Sequence, residues 1–228
     1  MDLIEGLRST GAVREFTDQP VADEVLARVL DTARFAPSGA NAQAWRVVVV
    51  KDPAARARLR DLYLPGWVEY LTLSSAGLRP WSPVNDRAAE AAALATGTDQ
   101  ARNAAKQGFA AHLDEVPVLL AVFADLTQLA AVDRDLDRYS LAGGASVYPF
   151  AWSVLLAARA EGLGGVLTTM LIREEDEVKR LLGAKGPLVL AAVIALGHPV
   201  HHQPRRLTRQ PVESFTTVDR VDGPAFPG

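Results

Sequence analysis

The chain has 228 residues, 49% of them hydrophobic, which is enough to bury a full core, and its length suits one domain or one domain with an appended arm. A net charge of −3 and a pI near 5.8 provide no broad attraction for nucleic acid or for an anionic membrane, so neither is an expected partner. With no cysteine there are no disulfides, thiolate nucleophiles or cysteine metal sites, and any redox chemistry must come from a bound cofactor.

The start, Met1-Asp2-Leu3-Ile4-Glu5, is acidic and lacks a basic region followed by an apolar core, and no apolar run approaches a membrane span; a cytoplasmic protein is expected. Asp2 to Thr10 predicts a short amphipathic helix with Leu3, Ile4 and Leu7 on one face and Gly11 suited to closing it. Arg8, Ser9, Thr10 and Arg14 follow, guanidinium and hydroxyl groups of the kind that hold a phosphate; solvated surface arginines are the alternative. Val21 to Phe35 carries Val25, Leu26, Val29, Leu30 and Ala33 at helical spacing, with Asp23 and Glu24 near the N-terminal dipole.

Ala36 to Arg46 is a polar hinge between that helix and a run of valines. Pro37 ends the helix and biases Ala36 toward extended geometry, and Gly39 permits a backbone turn. Ser38, Asn41 and Gln43 supply uncharged donors and acceptors that can read the edge of a heteroaromatic ring, although an ordinary helix-to-strand connection would use the same residues. Trp45 to Val50 predicts a central strand covered on both faces, and Asp52-Pro53 opens a helix through about Tyr63.

From Leu64 to Gln107 the pattern is less regular, with Pro65-Gly66-Trp67, Pro80-Trp81-Ser82-Pro83 and an alanine-rich stretch. A partly helical lid, a partner-contacting arm and a loosely ordered insertion all fit; Trp67, Tyr70 and Trp81 suit the wall of a substrate pocket, or a core. Val116 to Ala124 predicts a buried strand with Pro117 confined to its beginning. Asp133, Arg134, Asp135, Asp137 and Arg138 read as a solvated, mutually paired loop, and no metal site is expected there.

Gly143 to Ala160 is apolar around most of its circumference, so it must be buried, in a core or in a subunit interface, with Pro149 in its first turn. Glu161-Gly162-Leu163-Gly164-Gly165 leads into Val166-Leu167-Thr168-Thr169, a helix-to-strand turn whose glycines leave room for a planar ligand or simply cap a helix. It lacks the strand-before, helix-after context of a dinucleotide fingerprint. Arg173 to Leu182 predicts a charged amphipathic helix and Leu188 to Leu196 the fourth strand, after which Gly197-His198-Pro199 begins a polar arm with Arg205, Arg206 and Arg209. His201-His202 on that arm read as solvated rather than as metal ligands.

Pro37-Ser38-Gly39-Ala40-Asn41-Ala42-Gln43-Ala44-Trp45 resembles the Pro-Ser-x-x-Asn-x-Gln-Pro-Trp motif of the flavin-dependent nitroreductase family, departing from it at Ala44. Arg8 to Phe16, Gly162 to Thr168 and the late arginines match further family segments, so the resemblance covers nearly the whole chain. It implies an α+β, nitroreductase-like three-layer sandwich, a central and mostly antiparallel sheet flanked by helices, in an intertwined homodimer with C-terminal arm exchange. Residues 1–228 would form one such domain, with a lid-like excursion at 64–107 and an arm at 198–228.

By the same resemblance Arg8, Ser9, Thr10, Arg14, Arg206 and Arg209 would hold the phosphate of FMN. Pro37, Ser38, Gly39, Asn41 and Gln43 would read its ring, and Gly165, Leu167 and Thr168 would lie beside it. Two residues stand inserted between Arg8-Ser9-Thr10 and Arg14, which makes Arg14 the safer match of the two arginines. The implied activity is reduction of nitroaromatics, quinones or related small electrophiles by NAD(P)H through FMN, with no amino acid acting as nucleophile. A flavin-storing protein and a specialised dehalogenase or azoline dehydrogenase are the alternatives.

Overall fold

The structure, a computed structural model, describes residues 2–226 apart from Gln203 and Arg205. Four strands, β1 (Trp45–Val49), β2 (Val118–Asp125), β3 (Gly164–Thr168) and β4 (Leu188–Gly197), pair antiparallel in the order β1-β2-β4-β3. Successive side chains of a strand point to opposite faces, and the two cores follow from this. Leu120 and Val122 of β2 pack with α2 (Asp23–Ala33) and α6 (Tyr148–Ala160), whereas Leu119, Ala121 and Phe123 pack with α3 (Pro53–Ser75) and α7 (Glu175–Leu182). The result is a helix-sheet-helix sandwich of the expected kind.

Between Val122 and Phe123 the register with β4 slips, a bulge that leaves Ala191 without an opposite residue; the Tyr148 hydroxyl donates to its carbonyl at 3.2 Å. β1 corrects the expectation of a central strand. It lies at the sheet edge, paired only with β2, and its side chains are mostly half-buried, because the valine run is covered by helices rather than by a second neighbour.

The helix predicted to stop near Tyr63 runs on through Pro65 to Ser75. Proline removes one backbone hydrogen bond inside a helix. Packing compensates: Gly66 is buried so closely that a Cβ there would lie 2.9 Å from the Met170 sulfur. The stretch 64–107 is therefore mostly helical, completed by α4 (Arg87–Thr96) and α5 (Thr98–Ala105), and the reading of a loosely ordered insertion falls.

Helix α1 (Leu3–Ser9) is capped by Asp2, but Thr10, in extended geometry, ends it rather than Gly11. Its apolar residues Leu3, Ile4 and Leu7 face outward. The all-round apolar segment at 143–160 begins with a 3-10 turn, Ala142–Ser146, and only then becomes α6; Phe150, Ala151 and Val154 are buried, while Tyr148 and Trp152 are exposed on the chain by itself. Helix α2 ends at Ala33, four residues before Pro37, so the proline does not terminate it. No helix among the described residues is long and apolar enough to cross a membrane.

The arm starts by running back along its own chain: Val200 N–H donates to the Glu15 carbonyl at 3.1 Å and Leu207 N–H to that of Arg8 at 2.7 Å. Beyond it, the hydrogen bonds among residues 211–226 are all internal to that segment, and Phe215, Val221 and Phe226 are exposed. Gly165 corrects another expectation. The room left by its missing side chain is filled by the protein, since a Cβ would lie 2.4 Å from Leu196 Cδ2 and 2.7 Å from the Ala195 carbonyl. Gly165→Val is expected to destabilise the fold by about 1–3 kcal/mol or more through overpacking against backbone, read as a fall in urea midpoint. An unchanged midpoint would mean that the β3–β4 contact is slack.

Candidate functional site

The segment after α1 crosses the free edge of β3. Ala12 bridges Gly165 in parallel, Val13 N–H donates to the Gly165 carbonyl at 2.8 Å, and Phe16 pairs with Pro199 beyond β4. This pairing brings Arg14 close enough to the Tyr63 phenol to act on it electrostatically. Tyr63, buried in α3, meets the Thr168 hydroxyl at 3.1 Å. Burial is the main influence on the phenol and pushes its pKa up, against the opposing pull of Thr168 and Arg14, so it stays protonated at neutral pH.

Tyr63 also begins a ladder of rings. Trp67 lies 6.2 Å from it, Tyr70 lies 5.1 Å from Trp67 and nearly parallel, and Trp81 lies 6.1 Å from Tyr70, with the Arg173 guanidinium 4.6 Å over its face. Phe109 meets Tyr63 edge-on. A cavity of about 760 Å³ opens beside this cluster, lined by Arg14, Phe16, Trp67, Phe109 and His112 among others. Trp67 thus lines this cavity, whereas Tyr70 and Trp81 line neither it nor the two smaller cavities below.

Arg14 also lines a second cavity of about 460 Å³ with Gly11, Glu15, His201, His202 and Leu207. Arg8 and Arg206 flank that region through the Leu207–Arg8 backbone bond. Many arginines elsewhere are paired, Arg28 with Glu161, Arg58 with Glu177, Arg60 with Asp114, Arg138 with Asp133 and Arg173 with Glu69, although Arg56, Arg79 and Arg159 have no ion pair among the described residues. Arg8, Arg14, Arg206 and Arg209 are exposed, and among the described residues none of them has a carboxylate within ion-pair distance. Arg205 lies outside the described residues. Ser9 and Thr10 depart from expectation: both hydroxyls are buried, without a hydrogen-bond partner among the described residues, and neither is open to a ligand.

The 37–43 loop sits elsewhere, against the start of α6. The Gly39 N–H donates to Ser146 Oγ at 3.0 Å, and just past the loop the Trp45 ring stacks on Phe150 at 4.7 Å. Its turn does not rest on Gly39. The left-handed residues are Ala40, Asn41 and Gln43, with φ of 51°, 54° and 49°, a conformation that side chains resist. Gln43 N–H donates to Ser38 Oγ at 3.0 Å, and the Gln43 amide reaches Asn41 at 3.3 Å, while Asn41 and Gln43 themselves are exposed. Ala44, where the family motif has proline, is fully buried and its carbonyl accepts from Asp125 N–H at 2.8 Å.

Pro37 lines a third cavity of about 430 Å³ with Leu3, Gly6, Phe35, Ala157 and Ala160. None of the three cavities is lined by both Arg14 and a residue of the 37–43 loop. Tyr63 and Ser146 escaped the sequence reading. Tyr63 was legible in the spacing 63, 67, 70, one helical face, had the helix been carried through Pro65; Ser146 had no local signal.

The chain is thus an α+β helix-sheet-helix sandwich with an edge-crossing segment that carries Arg14, and with a polar loop in left-handed backbone. The family model of the nitroreductases, described as the Nitroreductase family, matches residues 7–198, and the chain belongs to this family of oxidoreductases. A protein named NADH dehydrogenase from Thermus thermophilus is 29% identical, with 82% of each chain covered. One named 5,6-dimethylbenzimidazole synthase from Rhodobacter capsulatus is 30% identical, covering 86% of this chain and 83% of its own. Among solved structures, iodotyrosine deiodinase bound to FMN and 3-iodo-L-tyrosine superposes with a TM-score of 0.62 at 24% identity, covering 92% of this chain and 96% of that one.

Proposed function

We propose that this protein is an FMN-dependent oxidoreductase that takes reducing equivalents from NAD(P)H and passes them, in alternate binding steps, to a nitroaromatic, quinone or related small electrophile. The observation that carries the reading is the set of exposed arginines, Arg8, Arg14, Arg206 and Arg209, left without carboxylates in a protein whose arginines are otherwise widely paired. Such a set fits a phosphate, which accepts charge-assisted bonds from guanidinium groups.

FMN, when bound, supplies the hydride chemistry. Arg14, Arg8 and the arm arginines would hold its phosphate; Ser9 and Thr10, being buried, would shape the segment rather than touch it. Asn41 and Gln43 would offer amide donors and acceptors to the ring edge, with Ser38 and Gly39 holding their turn and Pro37 its entry. Leu167 and the Thr168 hydroxyl, steadied by Tyr63, would face the ring, and Gly165 would serve by letting β3 approach β4. Trp67 and Phe109 would exclude water and orient a flat acceptor. Since none of the three cavities is lined by both halves, the reading includes a homodimer in which each flavin is held by two copies, a single domain per copy with its arm extended onto the partner.

The protein is expected to purify yellow and to release FMN on denaturation, and NAD(P)H should bleach the bound flavin rapidly under anaerobic conditions. Colourless protein that takes up no FMN would sink the reading. The resemblance to the benzimidazole synthase favours a second, specialised role: bound flavin that NAD(P)H leaves yellow but dithionite bleaches would select it. Trp67→Ala is expected to change the relative rates for large and small acceptors while leaving FMN affinity nearly intact, and Trp81→Ala to do less, because Trp81 stands outside the cavity. Equal effects of the two on acceptor choice would return the 64–107 region to a common lid.

A further inference from the structure

We infer that Asp133 and Ser146 are positioning residues for the ring-reading loop: the Asp133 carboxylate folds the preceding loop so that the Ser146 hydroxyl meets the Gly39 amide and fixes how Asn41 and Gln43 are presented. The inference rests on the proposed function, in which that loop reads the flavin.

Three non-glycine residues out of four consecutive positions lie in the left-handed region, Ala40, Asn41 and Gln43. Such backbone persists only where its surroundings over-determine it. The other bonds of the turn are local: Asn41 N–H to the Ser38 carbonyl at 3.0 Å, Ala42 N–H to the Gly39 carbonyl at 3.1 Å, and Gln43 N–H to Ser38 Oγ at 3.0 Å. Among the described residues, the single hydrogen bond from 37–43 to a segment distant in sequence is the one from Gly39 N–H to Ser146 Oγ. It anchors the first residue of the 3-10 turn Gly39–Asn41.

What places Ser146 is the buried carboxylate of Asp133, in a stretch that the sequence suggested was a solvated charge cluster. Asp133 accepts from Ser140 Oγ at 2.8 Å, Leu141 N–H at 2.7 Å, Ala142 N–H at 3.2 Å and Arg138 Nη1 at 2.9 Å. These bonds close the 133–142 loop on one group, and they hold its carboxyl well below the usual carboxylate range. The 3-10 turn Ala142–Ser146 starts on the last of these residues, and Val147 N–H continues it by donating to the Gly144 carbonyl at 3.0 Å. Only three residues separate the carboxylate's last partner, Ala142, from Ser146, so a shift of the loop is passed to the hydroxyl with little slack. Phe150, one turn further on, carries the ring on which Trp45 stacks, which seats the far end of the polar loop on the same element.

The test compares Ser146→Ala, Ser146→Thr and Asp133→Asn with wild type by amide hydrogen exchange of FMN-free protein and by FMN titration with a visible spectrum of the bound flavin. Ser146→Ala should speed exchange in 37–43 by about tenfold or more while β2 and β4 keep their protection, weaken FMN by about tenfold, and shift the flavin band. Ser146→Thr should restore all three. Asp133→Asn should speed exchange in both 133–142 and 37–43. Exchange in 37–43 that stays at the wild-type rate in Ser146→Ala, or that changes without moving FMN affinity or the spectrum, would overturn the inference, as would an Asp133→Asn effect confined to 133–142. Wild type that binds no FMN would refute the proposed function by itself, and the exchange rates would still decide whether Ser146 braces the loop.

Discussion

Arg14→Ala is expected to weaken FMN binding by about one to two orders of magnitude, the effect of losing a charge-assisted bond of roughly 1.5–3 kcal/mol. Arg14 is placed by backbone, not by an ion pair: the Ala12–Gly165 bridge and the Val13–Gly165 hydrogen bond lay its segment along β3, and Arg14 lines both the 760 Å³ and the 460 Å³ cavities. Removing the side chain therefore leaves no buried partner unsatisfied, and the melting temperature of FMN-free protein should hardly move. Arg14→Lys should fall between, since an ammonium keeps the charge but loses the bidentate fork. Flavin fluorescence quenching gives the affinities. Affinity equal to wild type in Arg14→Ala would move the phosphate to another site and leave the unpaired arginines without a role.

The second large effect concerns assembly. Leu3, Ile4 and Leu7 of α1, Phe35 and Trp152 are exposed, and Leu3 and Phe35 line the cavity formed with α6. An apolar surface of this kind is what a subunit interface would cover; on the proposed dimer, light scattering should return twice the chain mass, with Trp152→Glu shifting it toward one. The separation of Arg14 from the 37–43 loop makes a sharper forecast. An Arg14→Ala chain and a chain with both Asn41→Ala and Gln43→Ala should each bind FMN poorly. After co-refolding in equal amounts, half of the dimers are mixed and each mixed dimer has one site with both halves intact, so about a quarter of the sites should recover. Recovery no greater than the average of the two variants would place both halves in one chain and end the shared-site reading.

Much of this fold was legible locally. The four strands are apolar runs bounded by turn residues, α2 carries its stripe at helical spacing, and the Pro37-to-Trp45 motif identifies a polar loop from residue types alone. These features depend on short-range pattern, and hydrophobic periodicity encodes them directly. The arginines of the candidate site were likewise visible as residues, although nothing in the sequence says which arginines find carboxylates.

Tertiary structure decided the rest. β1 is an edge strand because only β2 has a register that reaches it, which no property of a valine run reveals. Pro65 remains inside α3 because Gly66 and Tyr63 are packed on both sides of it, and burial outweighs a local breaker. Left-handed backbone falls on Ala40, Asn41 and Gln43 rather than on Gly39 because a hydroxyl at position 146, more than a hundred residues away, holds the Gly39 amide. Asp133 turns from a surface charge into a buried hub because four residues of its own loop curl around it. Each is a long-range or cooperative contact, and a local pattern carries no information about partners that only folding brings into reach.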